Sequence, residues 1–191
     1  MWSTRYSLLE RMKDPRDQVA WQEFYDLYRP LIHRYCRQCG LAVTDAEEIV
    51  AVCLHDLVNQ FARFRYEASK GKFKSWLRKL VYHKVFHLLR DRRTELVSPS
   101  QMARTPDVAQ EQDPAWEKIW QSEVLNYCVQ QAKMQVSEED YRVFQLAVID
   151  GWPVSKIVEV CRLTPDQVYR IKYNVLQVIR AHARPYFEDE Q

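Results

Sequence analysis

Three glycines in 191 residues, with almost no β-branched alternation, leave this chain one route to a folded core. Apolar residues recur at helical spacing nearly everywhere, so the sequence predicts an all-α protein. Gly40, Gly71 and Gly151 each fall where a helix is expected to end or a turn to form. Start signals agree with this reading. Thr44 with Glu47 reads as a capping box opening a helix to about Phe61, and Asp113-Pro114 as an N-cap followed by proline at the first helical position. Ser137 with Asp140 marks another start. Thr164, Pro165 and Gln167 combine cap, proline and capping box in four residues. Helices are expected at about 4–13, 17–28, 30–39, 45–61, 72–93, 114–134, 138–150, 154–161 and 165–183. Residues 94–112 (TELVSPSQMARTPDVAQEQ) hold two prolines and few large apolar groups, the composition of a linker. The chain is therefore read as two small helical domains, 1–93 and 114–191, joined by an acidic linker over 94–113.

Charge is concentrated rather than general. The net charge is only +2, yet from Lys70 to Arg93 nine Lys/Arg face a single acid, Asp91. Up to residue 60 seven Lys/Arg stand against nine Asp/Glu, and from Gln101 to Asp140 three stand against eight. After Thr164 the balance turns basic again. Two basic stretches separated by an acidic one fit two polyanion contacts on one chain. A solvated helix face is the plain alternative for the first of them.

Placed on a helix at ~100° per residue, the basic segment separates into two faces. Phe73, Trp76, Leu77 and Leu80 form a core stripe, whereas Arg78, Lys79, Tyr82, His83, Phe86, Arg90 and Arg93 share the other side. Rings beside cations are able to stack on unpaired bases, each worth roughly 1–3 kcal/mol. Packing under a neighbouring helix or linker is the other reading of Tyr82 and Phe86. Lys70, Lys72 and Lys74, around Gly71, are expected to engage phosphates without reading sequence. Further on, Pro153–Cys161, a short Arg-Leu turn and Thr164–Lys172 have the length and apolar spacing of a helix-turn-helix. Val168, Ile171, Val175 and Ile179 should pack inward. Asp166, Gln167, Arg170, Tyr173, Asn174 and Gln177 cluster opposite, where Gln, Asn and Arg have the geometry to read base edges in a major groove. A helical hairpin used only for packing would share this pattern.

Other chemistries find less support. Cys36 and Cys39 form a CxxC with His33 one turn earlier, but no second ligand pair accompanies them. The five cysteines have no framework spacing and fit a reducing compartment. No apolar run approaches the ~20 residues of a membrane span and no signal-peptide core opens the chain, so a soluble, cytoplasmic protein is expected. Asp45, Glu47, Glu48, His55 and Asp56 lie close in sequence, yet on one helix only Glu48 and His55 share a side. No nucleophile-base pair or phosphate-cradling glycine loop appears. The reading is a non-enzyme without metal or cofactor.

These motifs resemble those of bacterial RNA polymerase sigma factors of the sigma-70 family, in the extracytoplasmic-function (ECF) group and closest to planctomycete-like members. The resemblance rests on Thr4-Arg-Tyr-Ser-Leu-Leu-Glu-Arg, Ala20-Trp-Gln-Glu-Phe24, Leu27-Tyr-Arg-Pro-Leu-Ile32 and Asp45-Ala-Glu-Glu-Ile-Val50. Phe64 through Gly71, Phe73, Ser75-Trp-Leu77 and Val168-Tyr-Arg-Ile-Lys172 extend it nearly end to end. It implies a sigma-2-like domain in 1–93 that docks on core RNA polymerase through Asp45, Glu47, Glu48, Ile49 and Val52. Its −10 contacts would be Lys70, Lys72, Lys74, Arg78, Lys79, Tyr82, His83, Phe86, His87, Arg90 and Arg93. It implies a sigma-4-like domain in 114–191 that reads the −35 duplex through Thr164, Asp166, Gln167, Arg170, Tyr173 and Asn174. Core polymerase and promoter DNA, duplex and unwound, are the implied partners; an anti-sigma factor or a regulatory kinase acting on Thr94, Ser98 or Thr105 is compatible with it.

The departures from the family pattern are specific. Ala51-Val-Cys-Leu54 stands where Gln-Glu-Val-Phe is usual, and His83 and His87 replace Asn and Asp. Arg162 occupies the glycine of the helix-turn-helix, at a cost of ~1 kcal/mol if its φ is positive. Asn174, Gln177 and Val178 stand where relatives carry arginine, which predicts weaker phosphate anchoring. A sigma-derived interaction protein that binds polymerase or a partner without opening promoters is the second reading.

Overall fold

The computed structural model describes residues 6–14, 16–61, 73–96 and 113–187. Among them every regular element is helical: α1 (Tyr6–Arg11), α2 (Gln18–Gln38), α3 (Val43–Phe61), α4 (Phe73–Leu96), α5 (Pro114–Lys133), α6 (Glu138–Phe144), α7 (Val154–Cys161) and α8 (Pro165–Phe187). A π-helical turn, Gln145–Ile149, follows α6. The expected all-α class is what is found. Two expected helices, 17–28 and 30–39, are one. Pro30 lies inside α2, and although proline removes an amide and disfavours a helix interior, the buried stripe Leu27, Tyr28, Leu31, Ile32 and Tyr35 runs straight through it. Packing overrides the local break.

The chain divides into two compact units, Met1–Glu123 and Val124–Gln191. This division lies ten residues beyond the expected linker, whose residues 97–112 fall outside the described ones. The reason is α5. Its first half belongs to the first unit because Trp116, Ile119 and Trp120 are buried there.

In the first unit, α2 packs against α1, α3 and α4, and α3 against α4. Its centre is aromatic. Phe24, Tyr28 and Phe73 lie within 4.2–6.0 Å of one another by ring centroid, Trp120 sits 5.6 Å from Tyr28, and Trp116 meets Tyr35 edge-on at 4.9 Å. Polar contacts fix α5 to this core. Asp113 caps α5 as expected, Oδ1 accepting from the Ala115 and Trp116 amides, while its Oδ2 accepts the Tyr35 hydroxyl at 2.7 Å. Arg34 donates to Glu123 at 2.7 Å and to Ser122 at 3.0 Å. At the other end, Asp17 caps α2 through the Ala20 amide and is held by the forked guanidinium of Arg11 at 2.9 and 3.1 Å.

The Thr44–Glu47 capping box does not form. Helix α3 begins two residues earlier than expected, at Val43, with the Ala46 amide bonded to the Ala42 carbonyl. Glu47 turns to α2 instead, accepting from Arg29 at 3.0 and 3.1 Å.

The second unit holds the helix-turn-helix. Val143, Ile157 and Val168 form its core, and Leu146, Trp152, Val158, Leu163 and Ile171 pack around them. Ser137 caps α6 through the Asp140 amide. Between α7 and α8, Arg162 takes the left-handed conformation, φ 54° and ψ 43°, the one non-glycine residue with positive φ among the described residues. Its amide and that of Leu163 both turn back to the Val158 carbonyl, which ends α7. The chain reverses there without a glycine.

Candidate nucleic-acid interface

Helix α4 carries the first candidate surface. Its buried arc is Phe73, Lys74, Leu77, Arg78, Val81 and Val85, offset from the expected stripe because Val81 and Val85 extend it and Trp76 and Leu80 are only half-buried. The offset turns two expected −10 contacts inward. Lys74 is 6% exposed, paired with Glu117 of α5 and set 5.2 Å over the Trp120 ring. Arg78 is 8% exposed. An ammonium in an apolar site needs a counter-charge, and Glu117 supplies it. In this structure neither cation is presented to solvent as the sequence reading expects.

The opposite arc is open. Lys79, His83, His87 and Arg90 are exposed, and Tyr82 and Phe86 are half-buried between them. Tyr82 and Phe86 stand one turn apart with rings 6.3 Å apart and 16° from parallel; His83 and His87 meet them edge-on at 6.2 and 6.1 Å. Four rings beside Lys79 and Arg90 form a ladder along one helix face. Arg90 also pairs with neighbouring Asp91 at 3.2 Å, an exposed contact that salt screens. Lys84, beside this face, bonds Asp56 of α3 at 2.7 Å and holds that carboxyl below its usual range. Lys70, Lys72 and the Arg93 side chain lie outside the described residues.

On α3, the five residues expected to meet polymerase divide. Glu48 and Val52 are exposed and Glu47 is exposed at its link to Arg29, whereas Asp45 and Ile49 are each 6% exposed and belong to the interior. Helical geometry explains the split, since i and i+4 share a face: Asp45 and Ile49 follow Ala46, Val50 and Cys53 inward, and Glu48 and Val52 point away.

Cys36 and Cys53 are buried and their thiols are pushed up to about 12 by desolvation; Cys128 is pushed up to about 11 for the same reason. These are interior thiols. Among the described residues no group of three or more His, Cys, Asp or Glu is placed to hold a metal ion.

Helix α8 carries the second candidate surface. Val168, Val175 and Ile179 are buried and Ile171 half-buried, the inward face expected for it. Asp166, Arg170, Tyr173 and Asn174 are exposed on the opposite side. Thr164 and Gln167 form the capping box: the Thr164 amide donates to Gln167 Oε1 at 2.7 Å and the Gln167 amide to Thr164 Oγ1 at 3.3 Å. That box occupies Gln167 Oε1, so a bidentate base contact by this side chain would have to break it. Tyr169, not among the expected −35 contacts, is 57% exposed beside Arg170. An exposed ring on that face is legible only once the inward positions are fixed.

No curated protein matches the chain. Residues 24–95, which run from Phe24 in α2 almost to the end of α4, match the family model described as sigma-70 region 2.

Proposed function

We propose that this protein is a sigma factor of the ECF group, which binds core RNA polymerase and directs promoter-specific transcription initiation. The observation that carries the reading is the region 2 match on α2–α4, the segment whose α4 presents stacked rings between exposed cations. In this reading α3 docks on polymerase through Glu47, Glu48 and Val52. The Tyr82–Phe86 ladder holds bases of the unwound −10 strand while Lys79 and Arg90 meet its phosphates. Unstacking a base costs a few kcal/mol, and stacking on rings at roughly 1–3 kcal/mol each offsets it. Helix α8 reads the −35 duplex, and the segment between α4 and α5 joins the two contacts. Polymerase supplies all nucleotide chemistry.

Affinity capture of the tagged chain, with sequencing of bound DNA and transcription from a recovered promoter, tests this. Recovery of polymerase subunits with AT-biased upstream DNA and promoter-dependent transcripts is the expected result; absence of polymerase overturns it. A second reading, a sigma-derived protein that occupies polymerase without opening promoters, is favoured by the inward turn of Lys74 and Arg78 and by Asn174, Gln177 and Val178 on α8. Polymerase binding with no open complex on any promoter tested would select it.

A further inference from the structure

Resting on the proposal that α8 reads upstream duplex DNA, we infer that Tyr169 and Tyr173 are specificity-determining residues that recognise thymine through its 5-methyl group. The two tyrosines stand one turn apart near the start of α8 and are 57% and 60% exposed. Their positions are fixed from behind. The capping box sets the first turn, and Val168 and Val175, each 1% exposed, anchor the helix against the unit's core. Base contacts come from the N-terminal residues of a recognition helix, and here that stretch has few free polar readers. Thr164 and Gln167 bond each other, which leaves Asp166, Arg170 and Asn174 beside the two rings.

A tyrosine ring offers a rigid apolar surface at the cost of ordering two torsions, and thymine is the one base whose major-groove edge carries a methyl group. The surroundings suit a duplex rather than a protein partner. From Val154 to Phe187 there are six Lys/Arg against two acids, and Arg170, Arg180 and Arg184 are exposed on the same side of α8 as the rings. Apolar readout of methyl groups would stand in for the arginines replaced by Asn174 and Gln177, giving base discrimination with a shallow salt dependence.

The test uses the full chain assembled with core RNA polymerase. Duplexes are selected from a pool randomised in the upstream element. Each enriched thymine is then replaced by deoxyuridine, which removes only the methyl group, and binding is measured by fluorescence anisotropy. Wild-type protein is expected to bind about fourfold more weakly for each methyl it reads. Tyr169→Ala and Tyr173→Ala should each lose the sensitivity at one position, and Tyr169→Phe should keep it. Indifference of the wild type to deoxyuridine, or unchanged sensitivity in both alanine variants, overturns the inference and leaves upstream reading intact. A wild-type holoenzyme that enriches no upstream sequence overturns both together.

Discussion

Trimming Trp120 to alanine should destabilise the first unit while leaving the second unchanged. The ring is fully buried, 5.6 Å from Tyr28 and 6.1 Å from Trp116 by centroid, and it faces the Lys74 ammonium at 5.2 Å. Truncating a buried tryptophan costs about 3–5 kcal/mol through lost transfer energy and the cavity left behind. A desolvated cation–π contact contributes up to about 2 kcal/mol of that, and it is separable. In a double-mutant cycle of Trp120→Ala with Lys74→Met, a coupling of about 0.5–2 kcal/mol is expected. Trp120→Phe should cost far less than alanine, because it keeps a ring against Tyr28 and discards an indole N–H with no hydrogen-bond partner among the described residues. The chain has two units, so a single unfolding transition is not assumed. Urea titration read by amide hydrogen exchange in α2 and α4 isolates the first unit, with exchange in α7 as the internal control. A loss below about 1 kcal/mol, or equal loss of protection in α7, would refute the assignment of α5's first half to the core that carries the region 2 match.

Three further outcomes follow from the geometry. Arg162→Gly should stabilise the second unit by about 1 kcal/mol, since a left-handed φ penalises any residue with a Cβ; thermal unfolding followed through Trp152 checks it, and no gain would mean the turn relaxes without cost. Cys36, Cys53 and Cys128, with thiols raised by burial, should resist alkylation at pH 8 while half-buried Cys161 reacts, as mass spectrometry of labelled peptides would show. The Asp17 carboxyl is lowered first by the Arg11 hydrogen bond and then by the Ala20 amide. A depressed carboxylate binds fewer protons folded than unfolded, so its support for the α1–α2 corner is full above the ordinary carboxylate range and fades as pH falls through the depressed value. Acid titration by NMR should find Asp17 below a reference aspartate, and Arg11→Ala should bring it back up.

How much was legible in the sequence is clearest at the helix ends. Asp113, Ser137 and Thr164 cap helices as their spacing predicts, because capping is a contact between neighbours in sequence. Thr44 fails for a tertiary reason: Glu47, needed for the box, is drawn to Arg29 on α2. Pro30 fails the same way, overridden by the buried stripe around it. In the candidate site, the shared face of α4's rings and exposed cations follows from helical periodicity, whereas the inward turn of Lys74 depends on Glu117 and Trp120, 43 and 46 residues downstream. No local pattern announces such a partner. The resemblance assigns Asp45 and Ile49 to the polymerase-docking surface, whereas their four-residue spacing places both on one face and their apolar neighbours turn that face inward.

The α4 ring ladder is proposed to open and hold a promoter strand. The most direct measurement is permanganate reactivity of thymines in the −10 region of a promoter bound by holoenzyme carrying wild-type chain or the Tyr82→Ala, Phe86→Ala double variant. At concentrations that saturate the duplex, wild-type holoenzyme should make those thymines reactive, and the double variant should lose most of that reactivity while its duplex affinity changes little. Equal losses in opening and duplex binding, or reactivity unchanged by removal of both rings, would contradict the account.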